Sequence, residues 1–431
     1  MGRPRAVPNS VHETLLKSVM PSGLTVWLNP KKGYCRTVGV LAAHFGSLDH
    51  EIQVGHETRR IPDGVAHFLE HKLFEDEEGD VSLRFSERGA NSNAGTEFTK
   101  TSYHFSCVDR VEDNLETLLR FVLHPYFTDA TVRKEQGIIE QEIRMYDDDP
   151  DWVSFNSLMQ ALYHRHPVRI NIAGSVESIR EITPELLFRC HEFFYHPANL
   201  VLAVSGGFDP DAAWDRIERV TAGLSTPAGE RHRRQILDEP DSVANPRVER
   251  SFAIVRPQVC IGFKDTPLRG SPDEILRREV ETQMLIDLLF SSSSPYHREL
   301  YESGIIDDSF EAAHSGEPEF AFSIIGGETD DPDRFVASVF EIIRKAIQDG
   351  LDEQGVRRIR NRWLGGFVRG FNSAEAIAGA LVTAELRAIT LDDMLDVMSS
   401  ASRFRLEERL RNHLQESRSA VCLMRPSAPL K

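Results

Sequence analysis

The sequence predicts an α+β fold built as two similar domains, and three observations predict it. The chain has 431 residues, which is too long for one ordinary core and suits two domains of about 200 residues each. Strand patterns near the start give way to helical patterns and then to a further strand, which is the order of an α+β domain. The same order of elements recurs after residue 250.

The first half is predicted as strands, then helices, then one strand. Apolar runs from Leu24 to Leu28 and from Thr37 to Phe45 flank a turn that contains Pro and Gly, which is typical of a β-hairpin. A short helix is predicted to open at Gly64 and run through Leu73. Periodicity predicts the rest: a helix near Val81 to Arg88, strands from Asn93 to Phe98 and Thr101 to Cys107, helices from Val111 to Leu123, Asp129 to Tyr146, Pro150 to Tyr163 and Pro184 to Phe194, and a strand from Leu200 to Val204.

A change in composition separates the halves. Residues 225–250 are rich in Pro, Asp, Glu and Arg, so they are predicted to link an N-terminal domain over 1–224 to a C-terminal domain over 251–431. The second half repeats the plan: strands from Phe252 to Val255 and Val259 to Phe263, a helix from Glu274 to Phe290, a strand from Phe320 to Ile325, helices from Pro332 onward, and a strand from Ala420 to Met424. Duplication of one domain is a hypothesis that this order favours.

Composition excludes several classes of function. The chain carries 50 Lys and Arg against 67 Asp and Glu, a net charge of −17, which repels phosphate backbones and anionic membranes. No apolar stretch reaches the roughly 20 residues that span a bilayer, and no apolar run follows the basic N-terminus as it would in a secretory signal. We expect a cytoplasmic protein that binds neither nucleic acid nor membrane, with its five cysteines reduced.

The strongest local pattern is His67-Phe68-Leu69-Glu70-His71. On a helix with about 100° per residue, the two histidines lie about 40° apart and Glu70 lies on the same side. Two imidazoles one turn apart can hold one Zn²⁺, and a carboxylate that stays off the metal can accept a proton from the attacking water. His-x-x-Glu-His is the inverzincin order of metalloproteases, although a chain with 16 histidines can contain the pattern by chance.

Such a site requires a third protein ligand, and a later helix offers candidates. Glu135 and Glu142 are seven residues apart, about 700° of rotation, and therefore share a face, whereas Glu140 is turned away from Glu135. We take Glu142 as the ligand and Glu135 as a neighbouring acceptor that orients a ligand or shifts the basicity of the site. Geometry alone leaves the assignment between these two residues open.

Four segments resemble the insulinase and mitochondrial-processing-peptidase family of zinc peptidases. They are Gly64 to Phe74, Asn93 to Thr96 followed by Thr101 and Tyr103, the helix around Glu135 and Glu142, and His196 to Phe208. The resemblance covers nearly the whole chain. It implies one Zn²⁺ per chain, held by His67, His71 and Glu142. It also implies a catalytic base at Glu70 and an acidic neighbour at Glu135.

The resemblance also implies an architecture and a mode of substrate binding. Two α+β halves, each a mainly antiparallel sheet packed with helices, are expected to face each other across a chamber. A peptide is expected to add as a strand beside the edge strand that begins at Asn93 and Ala94, because main-chain pairing binds extended peptides without demanding particular side chains. An ordinary turn before a strand also explains these two residues. The chain is as short as the subunits that pair, so a homodimer or a heterodimer with a related subunit is expected.

One stretch of the second half departs from the family. The family contributes an Arg and, after a Gly-Leu pair, a Tyr that help to hold the substrate. Aligned on Gly304, Tyr301 falls near the Arg position and Asp307 falls at the Tyr position. Arg298, about one turn before Tyr301, is a candidate substitute, and a partner subunit is another. The alternative for Arg298 is an exposed helix residue in a solvated ion pair.

The sequence therefore predicts a zinc endopeptidase that hydrolyses peptides or unfolded polypeptides. One alternative is a non-catalytic subunit that holds peptides in the same chamber, and another is a processing subunit that acts only with a related partner. The departures at Tyr301 and Asp307 favour these alternatives, whereas the intact set of metal ligands disfavours the first of them.

Overall fold

The computed structural model describes residues 3–54, 57–224, 232, 234, 237–265 and 270–427. Its strands are β1 (Arg5–Val7), β2 (Leu15–Val19), β3 (Thr25–Pro30), β4 (Thr37–Ala43), β5 (Glu51–Val54), β6 (Glu57–Arg60), β7 (Glu75–Asp76), β8 (Gly79–Asp80), β9 (Asn91–Thr96), β10 (Thr101–Cys107), β11 (Leu200–Gly206), β12 (Arg247–Phe252), β13 (Gln258–Lys264), β14 (Glu311–Gly316), β15 (Ala321–Glu328) and β16 (Ser419–Pro426). Its helices are α1 (Val65–Leu73), α2 (Ser82–Ser86), α3 (Val111–Leu123), α4 (Asp129–Asp147), α5 (Pro150–Leu162), α6 (Val176–Arg180), α7 (Pro184–Phe194), α8 (Pro210–Thr221), α9 (Pro272–Phe290), α10 (Pro295–Glu302), α11 (Pro332–Asp349), α12 (Glu353–Gly370), α13 (Ala374–Leu386), α14 (Leu391–Ser400) and α15 (Arg403–His413).

Five strands of the first main sheet, β3-β11-β4-β10-β9, repeat the order of the five strands of the second. The first has the strand order β1-β2-β3-β11-β4-β10-β9, and the second has the order β12-β16-β13-β15-β14. In the first sheet β11 runs parallel to β3 and antiparallel to β4, and in the second sheet β16 runs parallel to β12 and antiparallel to β13. The α+β class is therefore confirmed, and the repeated order of elements reflects a repeated sheet.

The chain divides into two compact units, each assembled from three segments. The first unit comprises Met1–Ile143, Asn171–Arg234 and Val368–Asp392, and the second comprises Arg144–Ile170, Gln235–Phe367 and Asp393–Lys431. This division differs from the continuous domains over 1–224 and 251–431 that the sequence predicts. The difference arises because α5 packs on β12, β13 and β16 of the second sheet, whereas α13 packs on β4 and β11 of the first sheet.

The predicted hairpin between the strands near Leu24 and Thr37 is wrong. β11 lies between β3 and β4 and pairs with both. All seven residues of β11 are buried, so its side chains need cover on both faces of the sheet, which a central strand receives. This pairing joins residues far apart in the chain, and no local turn pattern reports it.

The predicted linker and the strand after it need correction. Of residues 225–250, the positions 225–231, 233, 235 and 236 lie outside the described residues. The strand β12 covers Arg247–Phe252, so it takes the last four linker residues instead of running from Phe252 to Val255. β12 is a mostly exposed edge strand that pairs only with β16 among the described strands. Such a strand shows little apolar signal in the sequence.

A buried ion pair fastens the turn between β9 and β10 to the body of the first unit. Arg234 Nε and Nη2 donate to the two oxygens of Asp49 at 2.8 and 2.7 Å. The same Nη2 donates to the carbonyl oxygen of Thr99 in that turn at 2.5 Å. Burial raises the pKa of Asp49, but the charge of Arg234 and the hydrogen bonds from His232 and Arg234 outweigh it and lower that pKa to about 2. We call this contact the Asp49–Arg234 pair.

We expect Asp49→Asn to lower the free energy of unfolding at pH 7 by about 2 kcal/mol or more, because the pKa of Asp49 falls from 3.8 to about 2 on folding. An acid whose pKa falls on folding stabilises the protein above its unfolded pKa and loses that contribution as the pH falls through the folded value. In urea unfolding, the difference in the free energy of unfolding between wild type and variant should stay constant from about pH 7 to 5 and shrink below about pH 4. A difference that is the same at about pH 7 and pH 3 would contradict this explanation.

Candidate metal centre

Helix α1 presents His67, Glu70 and His71. It begins after Gly64, whose φ of 90° is a left-handed conformation that glycine adopts without strain. A Cβ at Gly64 would lie 2.4 Å from the carbonyl oxygen of Ala173, so only glycine fits this approach. The apolar side chains of the helix are buried and fix its rotation: Val65, Phe68, Leu69 and Leu73.

Helix α4 brings Glu142 to the two histidines. His67 Nε2 lies 3.6 Å from Glu142 Oε1, and His71 Nε2 lies 3.5 Å from Glu142 Oε2. The two imidazole rings have centroids 4.6 Å apart. One ligand atom from each of the three residues lies within 4.8 Å of the others. The three residues are therefore near enough to share one ion.

Glu135 contacts this cluster through His71. His71 Nδ1 and Glu135 Oε1 are 3.0 Å apart, so Nδ1–H donates to Glu135 and Nε2 is left as the nitrogen directed at Glu142. Burial lowers the pKa of His71, but the hydrogen bond to Glu135 and the charges of Glu142, Glu70 and Glu135 outweigh it, so the pKa is raised overall from its ordinary value. The same concentration of negative charge attracts a divalent cation.

The donor set fits zinc. Two imidazole nitrogens and one carboxylate are ligands that catalytic zinc sites use, with a fourth position left open. Within the described part of the chain, no other group of three or more His, Cys, Asp or Glu residues brings its ligand atoms this close. His67 Nδ1 is buried and has no hydrogen-bond partner among the described residues, so its polar contact with the site is made through Nε2.

Glu70 lies beside the three donors without belonging to their cluster. Its Oε2 accepts a hydrogen bond of 2.8 Å from the hydroxyl of Thr96, the last residue of β9. A carboxylate beside these three donors and held by one oxygen can exchange a proton with a molecule bound there. Sequence reasoning gives Thr96 no role, and the only signal available is its place in the segment from Asn93 to Thr96.

The predicted substrate-contacting residues Asn93 and Ala94 lie on β9. This strand is the edge of the first sheet, and β10 is the one described strand that pairs with it. Asn93 is exposed, and its Oδ1 accepts a hydrogen bond from the amide of Ala94 at 2.9 Å. Because Thr96 at the end of the same strand touches Glu70, the edge of the sheet runs up to the predicted catalytic base.

The second unit contains the candidate substitute Arg298 and the two positions that depart from the family, Tyr301 and Asp307. Arg298 is exposed on α10, and no ion pair joins it to a described residue. Tyr301 is 50% exposed near the end of the same helix. Asp307 forms an ion pair with Arg256, and hydrogen bonds from Ser309 together with Arg256 lower its pKa. The role of Arg298 in binding substrate stays a prediction.

We expect Glu135→Gln to weaken zinc binding by about 10- to 100-fold, because it replaces the charged acceptor that orients His71 Nε2. Zinc affinity can be measured by competition with a chromophoric chelator. The matched control is Glu140→Gln on the same helix, where the side chain pairs with Arg180 at 3.1 Å. Equal zinc affinity for Glu135→Gln and the control would remove Glu135 from the site.

Comparison with known proteins places this chain in a family. Residues 50–176 match the insulinase domain of peptidase family M16, and residues 181–362 match the peptidase M16 inactive domain. The chain therefore belongs to the insulinase family, peptidase family M16. The resemblance that the sequence motifs carry is thus confirmed.

Relatives match over nearly the full length. The chain is 36% identical over 420 residues to the uncharacterized zinc protease YmfH of Bacillus subtilis, covering 97% of this chain and 98% of that protein. An M16-like peptidase from Alicyclobacillus acidocaldarius has a crystal structure with a TM-score of 0.93, 33% identity, and coverage of 98% of this chain and 100% of its own.

A third relative matches only part of the chain. The mitochondrial-processing peptidase subunit beta of Caenorhabditis elegans is 25% identical over 207 residues, which are 47% of this chain and 43% of that protein.

No helix in the described residues is both long and apolar enough to cross a bilayer.

Proposed function

We propose that this chain is a zinc-dependent endopeptidase that hydrolyses peptides or unfolded polypeptides, with one Zn²⁺ held by His67, His71 and Glu142. The observation that carries the proposal is the convergence of these three donors within 4.8 Å, with the carboxylate of Glu70 beside them. Membership of the M16 family and the relative named as a zinc protease support it.

Each acidic residue of the site has a distinct task in this proposal. A Zn²⁺ held by His67, His71 and Glu142 would polarise the scissile carbonyl and make the attacking water more acidic. Glu70 takes a proton from the water as the water oxygen attacks the carbonyl carbon. Glu70 then gives a proton to the amine nitrogen as the C–N bond breaks. Glu135 holds His71 in the tautomer whose Nε2 faces the ion.

The edge of β9 that no described strand covers supports the proposed substrate class. An extended peptide can pair with the backbone around Asn93 and Ala94 as an added strand, which brings its main chain alongside the residue that contacts Glu70. A folded substrate rarely offers such a strand, whereas short peptides and unfolded chains do. The substrates in this proposal are therefore selected by their extended backbone.

A second candidate function is a subunit that acts only with a related partner. The observation that favours it is the pair of departures at Tyr301 and Asp307, the latter engaged by Arg256. The match of residues 181–362 to the M16 inactive domain and the relative named as a subunit of a processing peptidase add support. The partner in this candidate is a second copy of this chain or a related subunit.

Incubation of the purified protein with zinc and a mixture of short fluorogenic peptides tests both candidates. We expect cleavage by the protein alone, and its loss on chelation and recovery on adding zinc. Cleavage that requires a related M16 protein would favour the second candidate. Binding of peptides with no cleavage under either condition would overturn the endopeptidase proposal.

A further inference from the structure

The hydroxyl of Thr96 is bonded to the carboxylate that the proposed function uses as its base. The distance from Thr96 Oγ1 to Glu70 Oε2 is 2.8 Å, and both side chains are half-buried. A hydroxyl bonded to one carboxylate oxygen leaves the other oxygen available to a water molecule. Threonine is branched at Cβ and has restricted χ1 freedom, so its hydroxyl holds a defined direction.

The backbone around Thr96 is fastened on several sides. Beyond Thr96 the chain turns back at Glu97 to Lys100, where the Glu97 amide donates to the Lys100 carbonyl at 2.8 Å. The amides of Ser47 and Leu48 donate to the carbonyls of Glu97 and Phe98 at 3.1 and 2.9 Å. The turn therefore has little freedom to shift.

Two further contacts tighten the same turn. A Cβ at residue 46 would lie 2.5 Å from the carbonyl oxygens of Glu97 and Phe98, so Gly46 permits this close approach. The Asp49–Arg234 pair binds the Thr99 carbonyl at 2.5 Å. The turn that follows Thr96 is thus held by contacts that involve none of His67, His71 and Glu142.

We propose that Thr96 is a positioning residue that holds the Glu70 carboxylate in the orientation required for proton transfer. The proposal rests on the proposed function. Glu70 has three rotatable side-chain bonds, and a carboxylate that rotates away from the attacking water loses much of its effect, since misplacement by about 1 Å can cost about 10²-fold in rate. The fixed hydroxyl at the end of β9 restricts that rotation.

Two variants separate positioning from packing. Thr96→Val keeps the branched shape and removes the hydroxyl, whereas Thr96→Ser keeps the hydroxyl. We expect Thr96→Val to lower kcat by about 10- to 100-fold with KM changed by less than about threefold and with zinc content unchanged. Thr96→Ser should recover most of kcat. An unchanged kcat in Thr96→Val, or no recovery with Ser, overturns the proposal.

A double-mutant cycle on urea unfolding tests the hydrogen bond without using activity. Thr96→Val is compared in the wild-type background and in Glu70→Ala, and we expect its effect on the unfolding midpoint to be smaller when Glu70 is absent. Additive effects would overturn the proposal. If the two substitutions are coupled but the zinc-loaded wild type cleaves no peptide, the proposed function is overturned. The catalytic role of the hydrogen bond then falls with it, while the hydrogen bond itself stands.

Discussion

Replacing Glu70 by Gln is expected to leave zinc in the protein while peptide hydrolysis falls at least about 10²-fold, the lower end for loss of a general base. The amide of Gln cannot take the proton that Glu70 accepts. The three proposed ligands His67, His71 and Glu142 are unchanged in this variant, so metal content and folding should match those of the wild type.

Glu77→Gln provides the matched control for Glu70→Gln. Glu77 is exposed and follows the end of α1 by four residues in the chain, so this control makes the same change of charge at a residue outside the candidate site. Zinc content is measured by mass spectrometry on each dialysed protein, and initial rates are measured with one fluorogenic peptide. Near-normal turnover by zinc-loaded Glu70→Gln would show that another group acts as the base.

Glu142→Gln is expected to lose zinc on dialysis and to lose activity with it. Glu142 Oε1 and Oε2 face the Nε2 atoms of His67 and His71 at 3.6 and 3.5 Å, and in the proposed site this carboxylate is the third ligand and brings negative charge to the cation. A neutral amide is a poorer zinc ligand than a carboxylate. The loss of affinity should exceed the change of about 10- to 100-fold expected for Glu135→Gln.

The comparison of three glutamates on α4 decides the assignment that spacing alone leaves open. Glu142→Gln should retain the least zinc, Glu135→Gln an intermediate amount, and Glu140→Gln as much as the wild type. Unchanged zinc content in Glu142→Gln would move the third ligand to Glu135 or elsewhere. Added zinc should restore part of the activity to Glu135→Gln at concentrations that leave Glu142→Gln inactive.

The core of the candidate site was open to prediction because its residues follow helical spacing. His67 and His71 are one turn apart, and Glu135 and Glu142 are two turns apart, so each pair shares a face whatever the tertiary packing. That α1 and α4 meet cannot be derived from spacing, and the family resemblance supplied it. The contact between Thr96 and Glu70 depends on where a strand ends beside a helix, which no sequence period reports.

The fold, like the site, could be predicted where it depends on local sequence and not where it depends on contacts between distant segments. The bounds of α3 and α7 agree with the periodicity because both helices bury one continuous apolar face. The insertion of β11 between β3 and β4 and the packing of α5 and α13 on the sheet of the other half depend on contacts between distant segments. An apolar face indicates that a partner exists but does not identify it.

The most direct test of the central claim is an anomalous difference map at the zinc edge from crystals of the zinc-loaded protein. We predict one strong peak per chain, with His67 Nε2, His71 Nε2 and a carboxylate oxygen of Glu142 at about 2.0–2.2 Å from it. A map with no peak at these three residues, or with zinc held by other side chains, would contradict the claim that they form the metal centre.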